Sequence, residues 1–275
     1  MRKLFARLCK KQPSFIIHHL SFLIKNREEF TVKTGIFRII SNLPLTKNVY
    51  KMVLYGDVSH ITAPGQFINI KIDGLYLRRP ISVCDKSEDT VTIIYKVVGK
   101  GTEILSKMQA GELDILTGLG NGYVTDDSGE CPLLIGGGVG VPPMYMLAKQ
   151  LISEGKKVSV ILGFNTKDEI FCEQDFVSLG CDVTVTTVDG SYGVKGFVTD
   201  AMKNARYTCF YTCGPEPMLK AVYRASETHG YFSFEERMGC GFGACMGCSC
   251  KTITGYKRIC KEGPVMKKEE ILWEN

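Results

Sequence analysis

Residues 131–155, CPLLIGGGVGVPPMYMLAKQLISEG, carry an apolar run into a cluster of glycines and out again as a helical pattern. The run predicts a strand and the glycines a tight turn. Pro142 and Pro143 then mark a helix start, where proline's missing donor costs little. The same alternation continues downstream. Residues 156–164 (KKVSVILGF) and 181–190 (CDVTVTTVDG) read as strands, and 168–180 (DEIFCEQDFVSLG) and 194–204 (VKGFVTDAMKN) as helices. Residues 207–230 (YTCFYTCGPEPMLKAVYRASETHG) read as strand, proline-marked turn and helix. Strands alternating with helices predict a parallel sheet covered on both faces.

Upstream the rhythm is different. Residues 35–43, 48–56, 65–72, 78–85 and 90–98 are short alternating β-rich segments separated by Pro, Gly, Asp or Asn, as in a small antiparallel barrel or sandwich. The turn-rich stretch 118–130 (GLGNGYVTDDSGE) places the boundary between the two architectures. The fold class expected is a β barrel plus α/β, followed by a small C-terminal cysteine-rich segment. The expected division is an extension at 1–33, a β domain at 34–120, an α/β domain at 121–230 and the cysteine segment at 231–275.

The charge of +5 belongs to the leader, not the body. Residues 1–35 hold eight Lys/Arg against two Asp/Glu, whereas the other 240 hold 26 against 27. A near-neutral body argues against nucleic-acid binding. No apolar run reaches the roughly 18 to 20 residues that span a bilayer, so no integral membrane segment is expected. The leader's apolar stretch is broken by His18 and His19, which makes it a poor secretory signal. Seven of the twelve cysteines are scattered and five are concentrated at the end, which suits a reduced intracellular, cytoplasmic protein better than a disulfide framework.

Three constellations carry chemistry. Gly136, Gly137, Gly138 and Gly140 end an apolar run just before a helix, where a pyrophosphate can approach backbone amides and the positive helix end. Cys213, Gly214 and Pro215 form a second turn at a strand end, the usual ligand position in an open sheet. In the β region, Arg78 and Arg79 are adjacent, and strand alternation sends them to opposite faces, so at most one points into a site. One of the two arginines, and backbone donors from Gly99, Gly101 and Thr102 at a helix start, are candidates for contact with a phosphate or a flavin edge.

The third constellation is Cys240, Cys245, Cys248 and Cys260, spaced C-x4-C-x2-C-x11-C. Thiolates this close repel and oxidise unless a metal centre neutralises them. The opening x4 then x2 spacing is that of a plant-type [2Fe–2S] loop, with a shorter final gap. Structural zinc is the rival, because four thiolates also make a tetrahedral site. Cys250 is surplus. His18, His19, His60 and His229 lack a supporting constellation, and no catalytic residue is nominated.

Taken together, RRPIS, GKGT, GGGVGVPPM, CGPEPML and the terminal MGCGFGACMGCSC with RICKEGPVM resemble the electron transfer subunits of NAD-dependent, type B dihydroorotate dehydrogenases, in the ferredoxin reductase superfamily. The resemblance covers roughly residues 34–266. It implies FAD in the β domain, NAD on the α/β domain and a [2Fe–2S] cluster on Cys240, Cys245, Cys248 and Cys260. It places Arg79–Ser82 at the superfamily's flavin motif, with Ile81 in place of an aromatic, and Gly99–Thr102 near the FAD pyrophosphate. It also implies an FMN-containing catalytic partner, in a heterotetramer of two subunits of each kind, serving pyrimidine biosynthesis. A related flavin and iron–sulfur reductase serving a sulfide dehydrogenase, hydrogenase or glutamate synthase is the alternative, and a redox-inactive scaffold with zinc is a further one. One lysine beside Asp168 and Glu169, with Asp189 ending the third strand, favours NAD over NADP.

Overall fold

The computed structural model describes residues 32–273. The leader, with Cys9, His18 and His19, lies outside the described residues.

Strands β1 (Lys33–Pro44), β2 (Val49–Tyr55), β3 (Phe67–Ile70), β4 (Arg79–Lys86), β5 (Thr90–Lys96) and β6 (Glu112–Leu119) close a barrel in the order β1-β2-β5-β4-β3-β6. Every pairing is antiparallel. Alternation does the sorting: Phe37 and Ile39 point inward, while Ile36 and Ile40 are exposed. A bulge between Ile39 and Ser41 then shifts the phase, so that Asn42 rather than Ser41 enters the interior. Helix α1 (Lys100–Lys107) crosses from β5 to β6. Asn42 secures its far end, donating to the Leu105 and Met108 carbonyls at 2.9 Å each and accepting from the Tyr95 hydroxyl at 3.0 Å.

The second half contains β7 (Pro132–Gly137), α2 (Pro142–Ser153), β8 (Ser159–Phe164), α3 (Glu173–Ser178), β9 (Asp182–Thr187), β10 (Val194–Lys195), α4 (Val198–Met202), β11 (Cys209–Cys213), α5 (Glu216–Ala225) and β12 (Gly230–Ser233). A hairpin, β13 (Ser249–Thr252) with β14 (Gly255–Arg258), and strand β15 (Val265–Lys267) follow. The sheet order is β10-β9-β8-β7-β11-β12-β15. Six strands run parallel, and β15 joins the edge antiparallel to β12, so the terminal segment completes a mixed sheet. Apolar layers cover both faces. One contains Leu147 and Leu151 of α2 and Phe176 of α3. The other contains Val198, Leu219 and Val222 of α4 and α5, and reaches Cys248 and Cys260.

Two predicted helices are shorter than their sequence pattern. Cys172 sits in the left-handed conformation at φ 64°, so α3 starts only after it. Gly196 at φ 123° breaks the other segment, leaving its first two residues as β10 and its remainder as α4.

Candidate functional site

Strands β7 and β11 lie side by side with Cys213 opposite Gly136, and neighbours on either side run off in opposite directions. This is the point in an open α/β sheet where a crevice forms beyond the strand ends. The glycine loop and the Cys213 turn interlock there. A Cβ on Gly140 would stand 2.2 Å from the Cys213 carbonyl oxygen, and one on Gly137 would stand 2.4 Å from the sulfur of Met218 on α5. Gly136 is pressed against Val141, and Gly214 against Met218. Gly138 is different: at φ 52° no atom lies within 4 Å of its missing Cβ, so its outer side is open. Pro142 and Pro143 remove two donors from the first turn of α2, which leaves the loop amides as the main donors to an anion here. Pro215 caps α5. Burial pushes the Cys213 thiol up to about 12, with Ser233 lowering it only in part, so it stands neutral at neutral pH.

In the barrel the two arginines diverge. Arg78 donates to the Asp114 carboxylate and carbonyl, both at 2.9 Å, and so is spent within the wall. Arg79 lies across the start of α1, where a Cβ on Gly101 would be 2.1 Å from its Nε. Two motifs 20 residues apart in sequence thus meet in space. Thr102 closes the turn, accepting from the Val98 and Gly99 amides at 3.0 and 3.3 Å. Pro80, Ile81 and Ser82 continue along β4, paired with Asn69, Ile68 and Phe67 of β3. Lys100 is exposed.

The cysteine loop docks on this part of the barrel. Asn69, almost wholly buried, donates to the Cys240 carbonyl at 3.5 Å, and a Cβ on Gly241 would run into its amide nitrogen. The loop wraps inward: the Ala244 and Cys245 amides donate to Cys240 Sγ at 3.2 and 3.4 Å, and the Cys260 amide donates to Cys248 Sγ at 3.5 Å. Burial opposes ionisation of Cys240, but amide hydrogen bonds from Cys245, Phe242 and Ala244 overcome it and bring the thiol down to about 6. Burial and the neighbouring Cys248 push Cys260 up to about 12. Among the described residues no three Cys, His, Asp or Glu side chains converge as a ready metal cage. The thiols stand as two pairs, Cys240 with Cys245 and Cys248 with Cys260. Four thiols on a glycine-relieved wrap with amides already turned toward sulfur nevertheless fit an iron–sulfur cluster, which takes them as thiolates. Cys250 belongs to the packing instead, its Sγ 3.9 Å from the Met266 sulfur.

The barrel touches the other two constellations. Its β3–β4 side carries Asn69 against Cys240, and its β5 approaches the Gly138–Gly140 turn. Of the remaining candidates, Asp189 accepts from the Ser191 amide and hydroxyl at 2.9 and 2.6 Å, and Glu169 accepts from Asn165. His229 approaches the Asp127 carbonyl at 2.9 Å. Sequence reasoning missed Asn69, whose only signal is a polar residue among the apolar ones of FINI, and Arg258, which reaches into the cysteine loop from β14.

A family model described as the iron–sulfur cluster binding domain of dihydroorotate dehydrogenase B matches residues 235–272, and one described as the oxidoreductase NAD-binding domain matches 134–224. The chain is 43% identical over 249 residues to the dihydroorotate dehydrogenase B (NAD(+)) electron transfer subunit of Geobacillus sp. (strain WCH70), covering 85% of this chain and 96% of that protein. The Fusobacterium nucleatum protein of the same description is 45% identical over 247 residues, covering 84% and 95%. Among solved structures, the NADH-dependent reduced ferredoxin-NADP oxidoreductase described for flavin-based electron bifurcation superposes with TM-score 0.78 at 30% identity, over 86% of this chain and 90% of that one. A ferredoxin NADP+ reductase from Neisseria gonorrhoeae, at 18% identity and TM-score 0.62 over 70% of this chain and 90% of that one, shares the fold.

Proposed function

The chain belongs to the family of dihydroorotate dehydrogenase B (NAD+) electron transfer subunits, and we propose that it performs that role on the residues just described, as an NAD-dependent oxidoreductase component. When bound, the [2Fe–2S] cluster and FAD supply single-electron transfer and its conversion to the two-electron chemistry that ends at NAD+. Cys240, Cys245, Cys248 and Cys260 hold the cluster. Arg79, Pro80, Ile81 and Ser82 hold the flavin along β4, while Gly99, Lys100, Gly101 and Thr102 receive its phosphates at the start of α1. Gly136, Gly137, Gly138 and Gly140 receive the dinucleotide, with Cys213, Gly214 and Pro215 walling the nicotinamide side. Residues 34–120, 121–230 and 231–275 serve FAD, NAD and cluster respectively.

The observation that supports this order is the placement of the barrel, with Cys240 docked on Asn69 at one side and the glycine turn beside β5 at the other. The residues' work is positioning: a neutral Cys213 puts no charge beside the reacting ring, and Arg79 offers a fixed fork to an anionic group.

The partner in this reading is an FMN-containing catalytic subunit that oxidises dihydroorotate, in a cytoplasmic assembly of two subunits of each kind. No described helix is long and apolar enough to cross a membrane. The testing experiment is an anaerobic visible spectrum of the purified chain with iron, sulfide and flavin analysis. About two irons, two sulfides and one FAD per chain, bleached by NADH, are expected. Zinc without flavin or sulfide overturns the reading. Light scattering of the chain mixed with its partner tests the stoichiometry.

A further inference from the structure

We propose that Arg258 is a positioning residue that fixes the Gly243–Ala244 peptide, aims the Ala244 amide at the Cys240 sulfur, and thereby helps set the reduction potential of the centre this loop holds. The inference rests on the iron–sulfur reading above.

The geometry is a relay of fixed parts. Arg258 sits at the end of β14, and its Nη1 donates to the Gly243 carbonyl at 2.6 Å. Its Nε donates to Glu262 Oε2 at 2.9 Å, its Nη2 donates to the other carboxylate oxygen, and its backbone amide donates to Glu262 Oε2 at 2.8 Å. The guanidinium is therefore held at all three of its nitrogens. A planar trans peptide points its C=O and N–H in opposite directions. With the Gly243 oxygen tied to the guanidinium, the Ala244 N–H must face the other way, and it meets Cys240 Sγ at 3.2 Å. Gly243 at φ 92° allows this turn, and a side chain there would collide with Lys261. Arg258 is also two residues from Cys260 in the chain, which brings its charge near the second thiol pair.

Hydrogen bonds to sulfur and nearby positive charge favour the more negative, reduced form of a cluster and raise its potential. Lysine keeps the charge but lacks the planar fork that serves Glu262 and Gly243 at once. Arg258→Lys therefore separates geometry from charge. Arg258→Gln removes the charge and most of the fork.

The test is a redox titration of the loaded full chain, followed by pulsed electron paramagnetic resonance of the reduced protein labelled with 15N-alanine. Ala244 is the only alanine between Gly239 and Cys260, so its coupling is assignable. At the wild-type midpoint, Arg258→Gln is expected to lower the reduced-to-oxidised ratio about tenfold, about 59 mV for one electron. Arg258→Lys is expected to lower it less, and the Ala244 coupling weakens in both. A wild-type ratio and coupling in Arg258→Gln overturn the proposal. If that variant loses its iron, Arg258→Lys decides, and a wild-type ratio and coupling there overturn it equally. Wild-type protein without iron and sulfide sinks the underlying reading instead, an outcome visible before any variant is made.

Discussion

At Gly140 a hydrogen is the only side chain that fits, because its neighbour is the backbone of Cys213 and cannot swing aside. Gly140→Ala must push the glycine loop off the Cys213 turn, and forced overpacking of this kind costs about 1 to 3 kcal/mol. The expected outcome is at least about a tenfold weaker NADH affinity with FAD content unchanged, since the residues proposed for the flavin lie on other elements. Fluorescence titration with NADH and flavin analysis check both halves. Arg79 gives the converse case. Its guanidinium lies over Gly101, at the start of α1. Arg79→Gln keeps a donor but loses a charge-assisted bond worth about 1.5 to 3 kcal/mol, so FAD is expected to bind about 10-fold to 100-fold more weakly. Equilibrium dialysis measures this, and NADH affinity for the glycine loop is expected to hold. Alternation in the sequence already separates Arg78 from Arg79. That Arg79 lands on Gly101 is a tertiary fact no spacing states.

Elements are held in register by a few buried polar bonds, and two of these give tests. The bulge in β1 turns Asn42 inward, where it terminates α1 and satisfies the Tyr95 hydroxyl. Asn42→Leu has nearly the right volume but orphans the Tyr95 hydroxyl and the Met108 carbonyl, and leaves the Leu105 carbonyl only its bond from the Met108 amide. A buried unsatisfied group costs about 1 to 3 kcal/mol, so a lower urea midpoint with an unchanged slope is expected, together with weaker FAD retention because α1 begins at the turn proposed for the flavin phosphates. The second bond ties the linker to β12: the Tyr231 hydroxyl donates to both Asp127 carboxylate oxygens at 2.7 and 2.8 Å. Burial opposes ionisation of Asp127, yet the Tyr231 bond and Lys267 overcome it and hold the carboxyl below its ordinary value of 3.8. A carboxyl depressed in the folded state stabilises fully above its unfolded value and loses that contribution as pH falls through the folded one. Tyr231→Phe keeps the stacking on Tyr211 but removes the bond. It is expected to lose about 1 kcal/mol at pH 7 and to show a flatter decline below pH 4 than wild type, by urea unfolding across that range.

Across the whole molecule, periodicity made the barrel and the parallel strands legible, because each uses a period its side chains announce. The terminal closure was not. Strand β15 is three residues long, and it is pinned by Asn121, which bonds the Val265 amide and carbonyl and the Glu262 carbonyl across more than half the chain. The cysteine spacing was legible as chemistry, whereas its supports, Asn69 and Arg258, act on backbone carbonyls, and a bond to a carbonyl leaves no residue-type signal. The sites proposed for the three redox groups fall on different elements. The residues proposed for the flavin lie on β4 and at the start of α1, and those proposed for the dinucleotide lie in the turns after β7 and β11. Cys245 is the exposed member of the four, whereas Cys248 and Cys260 belong to the core. Cys245→Ser should therefore change apoprotein stability by no more than about 0.5 kcal/mol while taking away one proposed cluster ligand. The expected variant contains FAD but little iron or sulfide. It still bleaches its flavin with NADH at close to the wild-type rate in stopped flow, and it fails to pass electrons from the catalytic partner. Loss of flavin bleaching along with the iron would show that the cysteine loop shapes the hydride site, against the proposed separation.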